Sequence, residues 1–151
     1  MKPSRVKEVL GPLLENRWPV FLWGPPGVGK SSVVQQVVSI RGWKLVDVRA
    51  SLLDPTDLRG IPYVQEGQAN WAPPSFLPGD QKSEGVLFFD ELNAAPPLVQ
   101  ASLYQLTLDR RVGEYELPPG WRIIAAGNRS EDRSVVFRMP NALANRFTHL
   151  D

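Results

Sequence analysis

Short apolar runs alternate along this chain with segments whose apolar residues recur every three to four positions. Val20-Phe21-Leu22-Trp23 is a compact run that feeds a glycine-rich turn, and it predicts a buried strand. From Lys30 to about Ile40, Val33, Val34, Val37 and Val38 share one face of a predicted helix. Gly42 marks the end of that helix, and Lys44–Arg49 follows as a second strand. Val86–Phe89 carries no charge and predicts a strand in the middle of a sheet. Pro96 and Pro97 stand at the start of the next helix, where proline is tolerated, and Val99, Leu103 and Leu106 form its apolar face. Arg122–Ala126 predicts a fourth strand, and Phe147–Leu150 the beginning of a fifth. Ahead of them all, a helix starting near Ser4 carries Val6, Val9, Leu10, Leu13 and Leu14, with Pro12 expected to break or bend it.

Strand-helix alternation of this kind predicts an α/β fold, a three-layer αβα sandwich with a parallel sheet of about five strands. Two stretches interrupt the rhythm. Between Arg59 and Gly79, Ile61-Pro62-Tyr63-Val64 and Ala69-Asn70-Trp71-Ala72 flank Glu66-Gly67, which reads as a β-hairpin on a long loop. A second, shorter hairpin is predicted between Val112 and Trp121. The 151 residues suit one domain, and no internal repeat is visible.

Composition narrows the chemistry. Seventeen basic and sixteen acidic side chains give a net charge of +1, which offers no reason to expect a nucleic-acid or membrane-surface partner. Without cysteine, disulfides and thiolate chemistry are excluded, and a single histidine, His149, rules out a multi-histidine metal cluster. The longest apolar runs fall far short of the roughly 18 residues that a membrane span needs. The N-terminus leads into an amphipathic segment, so the expected location is cytoplasmic.

Gly24-Pro25-Pro26-Gly27-Val28-Gly29-Lys30-Ser31 matches G-x-x-x-x-G-K-S in full, with a strand before it and a helix after. Gly27 and Gly29 let the backbone curl so that successive N–H groups face phosphate oxygens. The following helix adds the positive end of its dipole. Lys30 supplies a charge to the β- and γ-phosphates of ATP, Ser31 offers a hydroxyl to Mg²⁺, and Ser32 completes the nucleotide-contacting set.

Val86–Phe89 runs straight into Asp90-Glu91. Asp90 is expected near Mg²⁺, either bound to it or one step removed, and Glu91 is the candidate to polarise the attacking water. Ile123-Ile124-Ala125-Ala126-Gly127-Asn128 is a further apolar strand ending in an amide, which is placed to orient that water. Taken alone, Gly127-Asn128 would read as a turn.

The order of these segments, with Phe89-Asp90-Glu91-Leu92-Asn93 and Ala142-Leu143-Ala144-Asn145-Arg146-Phe147, resembles an AAA+ ATPase of the P-loop NTPase class. More narrowly, it is similar to the MoxR-like, midasin-related branch, to which Asp54-Pro55-Thr56-Asp57-Leu58-Arg59-Gly60 also corresponds. The resemblance covers about Trp18 to Asp151. It implies that Lys30 and Ser31 belong to Walker A, Asp90 and Glu91 to Walker B, and Asn128 to sensor 1. Arg146 falls where the family keeps an arginine finger that reaches a neighbouring subunit, with Arg129 and Arg138 as weaker candidates; an ordinary surface arginine is the alternative. The resemblance further implies a ring, a hexamer in the full-length protein, that remodels protein clients. A protein carrying a von Willebrand factor A domain is one candidate client. Tyr63, Trp71, Phe76, Tyr115 and Trp121 on the hairpins either touch that client or pack the hairpins down. The family has a small helical lid after the fifth strand, and these 151 residues stop before it. The expectation is therefore weak ATP binding, slow hydrolysis and no assembly by this chain alone.

Three other functions fit parts of the pattern. A small phosphotransferase must exclude water from its site, which a water-activating Glu91 opposes. A nucleotide-gated binding module with little turnover uses the same residues. A nucleic-acid motor finds no basic run here.

Overall fold

The computed structural model describes residues 2–25, 28–129 and 141–151, with the backbone alone at 142 and 143. The chain runs α1 (Pro3–Glu15), β1 (Val20–Trp23), α2 (Lys30–Ile40), β2 (Lys44–Arg49), a 3₁₀ turn at Ala50–Leu52, α3 (Pro55–Arg59), β3 (Ile61–Gln65) and β4 (Gln68–Ala72). It continues through β5 (Gly85–Asp90), a 3₁₀ turn at Leu92–Ala94, α4 (Pro97–Asp109), β6 (Arg111–Val112), β7 (Tyr115–Glu116), β8 (Trp121–Gly127), α5 (Asn141–Ala144) and β9 (Thr148–Leu150).

Five strands form one parallel sheet in the order β2-β5-β8-β1-β9. Alternate residues of each strand enter different cores, because successive side chains point to opposite faces. Val20, Leu22, Val86, Phe88, Ile124 and Ala126 pack under α1 and α2. Phe21, Leu87, Phe89, Ile123 and Ala125 pack against Val99, Leu103 and Leu106 of α4. Helices on both faces make the expected three layers. Each large side chain buried this way, such as Phe88, contributes about 2 kcal/mol of transfer free energy. The strand order also sets the site. β8 lies between β1 and β5, so the residues that leave these three strands emerge side by side at one edge.

α2 ends as expected at Gly42, whose φ of 67° only glycine adopts at little cost. The Gly42 N–H donates to Ser39 O and the Trp43 N–H to Val38 O, a Schellman closure.

Pro12 neither breaks nor ends α1. The helix runs on to Glu15, because Pro12 lies on the exposed side while Leu10 and Leu14 are buried. One turn later, the Asn16 backbone N–H (3.1 Å) and side-chain Nδ2 (2.8 Å) both donate to Pro12 O.

β3 and β4 form the first hairpin, turning at Glu66 (φ 53°) and Gly67 (φ 76°). β6 and β7 form the second, but Trp121 lies outside it. Trp121 opens β8, is 2% exposed and donates its Nε1–H to Ser83 Oγ at 2.8 Å, which removes it as a surface contact residue. Trp71, Phe76 and Tyr115 are partly buried, leaving Tyr63 as the exposed aromatic of the five. The Glu114 carboxylate ties the hairpins together by accepting from the Trp71 N–H at 3.1 Å, and Arg59 lies over the Trp71 ring. Among the described residues no helix is long and apolar enough to cross a membrane.

Candidate nucleotide site

β1 delivers the chain to the phosphate loop. Gly29 caps α2 with a φ of 87°, and having no side chain it leaves the first-turn N–H groups of the helix unblocked. Lys30 is the first residue of α2 and reaches back over the loop. Its Nζ donates to Gly24 O (2.5 Å), Pro25 O (3.3 Å) and Asn128 Oδ1 (3.0 Å). The lysine thus links the loop after β1 to the end of β8. Pro26 and Gly27 lie outside the described residues. Trp23, just before the loop, donates its Nε1–H to His149 Nδ1 at 2.8 Å, which ties β1 to β9.

From β5 come Asp90 and Glu91. Ser31 Oγ donates to Asp90 Oδ2 across 3.5 Å, so hydroxyl and carboxylate stand side by side. Glu91 takes a left-handed conformation (φ 56°), turning the chain sharply off the strand, and its N–H donates to Asp90 Oδ1 at 2.9 Å. The Glu91 carboxylate accepts from Ser51 Oγ at 2.5 Å and lies 3.9 Å from Arg49 Nε.

Gly29, Lys30, Ser31, Arg49, Asp90, Glu91 and Asn128 enclose one cleft of about 360 Å³. Ser32, on the exposed side of α2, is not part of its wall. Two larger hollows, of about 410 and about 510 Å³, flank α3, so size does not mark the site; convergence of opposite charges does. Beside the cleft, Val6, Leu22, Val28, Val33 and Leu150 line an apolar hollow of about 260 Å³ that Lys30 also borders.

The electrostatics run beyond the cleft along β2. Asp47 has its pKa raised, first by lost solvation and then by Asp90 across the sheet, against the opposing pull of Arg49.

Arg146 is exposed in the turn before β9 and does not line the cleft. Arg129 is paired with Asp151 and lies over the Trp23 ring. Arg138 lies outside the described residues. The sequence reading had no role for Arg49 and Ser51, which face Glu91. The legible signal was their position at the end of a strand bound for the same sheet edge as the phosphate loop.

Fold and cleft together define a P-loop nucleotide-binding domain. The model of the AAA domain (dynein-related subfamily) matches residues 19–147, and the chain belongs to that family, as an AAA+ ATPase domain of MoxR-like type. It is 32% identical over 133 residues to the protein MoxR of Methylorubrum extorquens, covering 85% of this chain and 38% of the relative. It is 30% identical over 158 residues to midasin of Giardia intestinalis, covering 98% of this chain and 3% of midasin. A solved structure of a mutant form of Thermotoga maritima RuvB has the same fold, with a TM-score of 0.65, 21% identity, and coverage of 97% of this chain and 44% of RuvB. The chain therefore spans well under two thirds of the length of these relatives.

Proposed function

We propose that this domain binds ATP with Mg²⁺ and hydrolyses it, as the nucleotide-processing part of a ring-forming remodelling motor. The observation that carries the reading is the convergence of Lys30, Ser31, Asp90, Glu91 and Asn128, from three separate strand ends, on one cleft.

Lys30 exchanges its loop carbonyls for β- and γ-phosphate oxygens, and the N-terminus of α2 takes the remaining phosphate charge. The apolar hollow beside Lys30 suits the face of a nucleobase. The Ser31 hydroxyl and the Asp90 carboxylate fit Mg²⁺, which prefers oxygen ligands and commonly binds through one or two side chains plus substrate phosphates. When bound, Mg²⁺ neutralises charge on the phosphate oxygens. Glu91 accepts the proton of the attacking water, and Asn128 orients that water.

Arg146, exposed and outside its own cleft, suits a finger that completes the site of an adjacent copy. A client with a von Willebrand factor A domain rests on the MoxR-like resemblance alone. One observation favours a second reading, a slow nucleotide-gated switch: Ser51 and Arg49 engage the Glu91 carboxylate within its own chain.

ATP binding and phosphate release by the wild type, Lys30→Ala and Glu91→Gln decide between them. Hydrolysis requires that Lys30→Ala lose binding and that Glu91→Gln bind normally while turning over about 100-fold more slowly or worse. Wild type that binds ATP but releases no phosphate, whatever its concentration, leaves the switch. A wild type that binds no ATP removes both.

A further inference from the structure

Asn93 lies two residues past Glu91, is 5% exposed, and meets the backbone of Asn128 in both directions. Its Nδ2 donates to Asn128 O at 2.5 Å, and its Oδ1 accepts the Asn128 N–H at 3.2 Å. We propose that Asn93 is a positioning residue for the reaction, a side-chain clamp that aims Asn128 into the phosphate cleft. The proposal rests on the hydrolytic reading above.

The geometry explains why a clamp is needed. The ladder between β5 and β8 ends at Phe89↔Ala125, and that between β1 and β8 at Trp23↔Gly127. Asn128 therefore lies beyond both registers, at the point where a strand end frays. The Asn93 amide has the donor and acceptor of a peptide group and continues the pairing for one more residue. What it holds is the residue whose Oδ1 accepts from Lys30 Nζ at 3.0 Å. The clamp thus joins the turn that carries Glu91 to the strand end that carries Asn128.

Gly127 belongs to the same device. A Cβ there would collide with Asn93 Oδ1 and stand 2.9 Å from Phe21 Cζ, so only glycine lets the Asn93 amide lie against the strand. Gly127-Asn128, which taken alone reads as a turn pair, is shaped to receive Asn93.

Asn93→Leu keeps the branched outline of the amide but is larger and makes no hydrogen bonds, so Asn93→Asp, close to asparagine in size, serves as its control. Aspartate keeps the acceptor yet turns a second oxygen toward the Asn128 carbonyl; once protonated, it regains a donor. The test measures kcat and KM for ATP in wild type, Asn93→Leu, Asn93→Asp, Asn128→Ala and the Asn93→Leu/Asn128→Ala double variant, together with hydrogen exchange at the Asn128 amide. Asn93→Leu is expected to lower kcat about 10- to 100-fold with KM within about 3-fold, the cost of misplacing one positioned group. The double variant is expected to be no slower than Asn128→Ala. Activity of Asn93→Asp relative to wild type is expected to climb as the pH falls from about 8 to about 5.5.

Multiplied losses in the double variant, or Asn93→Leu with near-normal kcat, overturn the clamp. Should Asn93→Leu fail to fold, the pH profile of Asn93→Asp decides, a flat ratio overturning the proposal. A wild type without hydrolysis sinks the functional reading instead. Exchange at Asn128 then settles the clamp by itself: about 10-fold faster in Asn93→Leu supports it, and an unchanged rate removes it.

Discussion

Ser51 Oγ lies 2.5 Å from the carboxylate that the proposed chemistry needs, so a single hydroxyl competes with water for Glu91. Ser51→Ala removes one charge-assisted hydrogen bond from Glu91 and is expected to raise basal ATP turnover up to about 10-fold with unchanged ATP affinity. Steady-state phosphate release checks this, and a slower variant would mean that Ser51 helps the reaction. Tyr115 gives a residue-scale prediction about stability. Burial raises its pKa to about 12, while the nearby Arg110 pulls the other way, and its Oη–H donates to Pro78 O at 2.6 Å. Because the folded value lies above that of the free phenol, the stabilisation is complete below about pH 10 and is lost as the pH rises toward 12. Tyr115→Phe should cost about 1 kcal/mol at neutral pH, a deficit that shrinks across that alkaline window in denaturant titrations. Lys30, Ser31, Asp90, Glu91 and Asn128 were legible because each sits in a local segment with its own strand. Arg49 and Ser51 carried only the signal of their place at a strand end, and the role of Asn93 carried none. Their partners lie at least 35 residues away, and only strand pairing and the turns between strands bring them together.

At the scale of elements, local pattern worked where periodicity and punctuation agreed. β1, α2 and β2 have the bounds that their apolar residues predict, and the Glu66-Gly67 turn is where its composition put it. Pro12, expected to break or bend α1, does not break it, because packing of Leu10 and Leu14 outweighs one missing N–H on an exposed face. Trp121, expected at the end of the second hairpin, is buried against Gly85 and bonded to Ser83, which makes it the first residue of β8 instead. The first hairpin has no buried residue of its own, whereas Val112 anchors the second in the core, so polar ties fix the first to the second. Glu114→Ala should therefore speed amide exchange at Trp71 about 10-fold while leaving Phe88, in the middle of β5, unchanged. Equal protection at Trp71 in both proteins would show that the hairpin is held by its other contacts.

For the whole molecule, the exposed position of Arg146 makes a prediction about assembly. If the site is completed by a neighbouring copy in the assembled full-length ring, Arg146→Ala and Lys30→Ala proteins are each inactive there, yet mixing them restores about a quarter of wild-type turnover or less, since only some interfaces pair an intact cleft with an intact finger. No recovery on mixing, with Arg146→Ala active alone, would place Arg146 outside the chemistry. At this scale the division between sequence and structure is plain. By itself the sequence determined the strand-helix alternation, the phosphate loop and the acids at a strand end, because each depends on residues close together in the chain. Tertiary structure alone decided that β8 lies between β1 and β5, that Ser51 and Arg49 engage Glu91, and that Asn93 grips Asn128. Those facts come from pairing distant segments, a choice set by the summed burial of two cores that no local window contains.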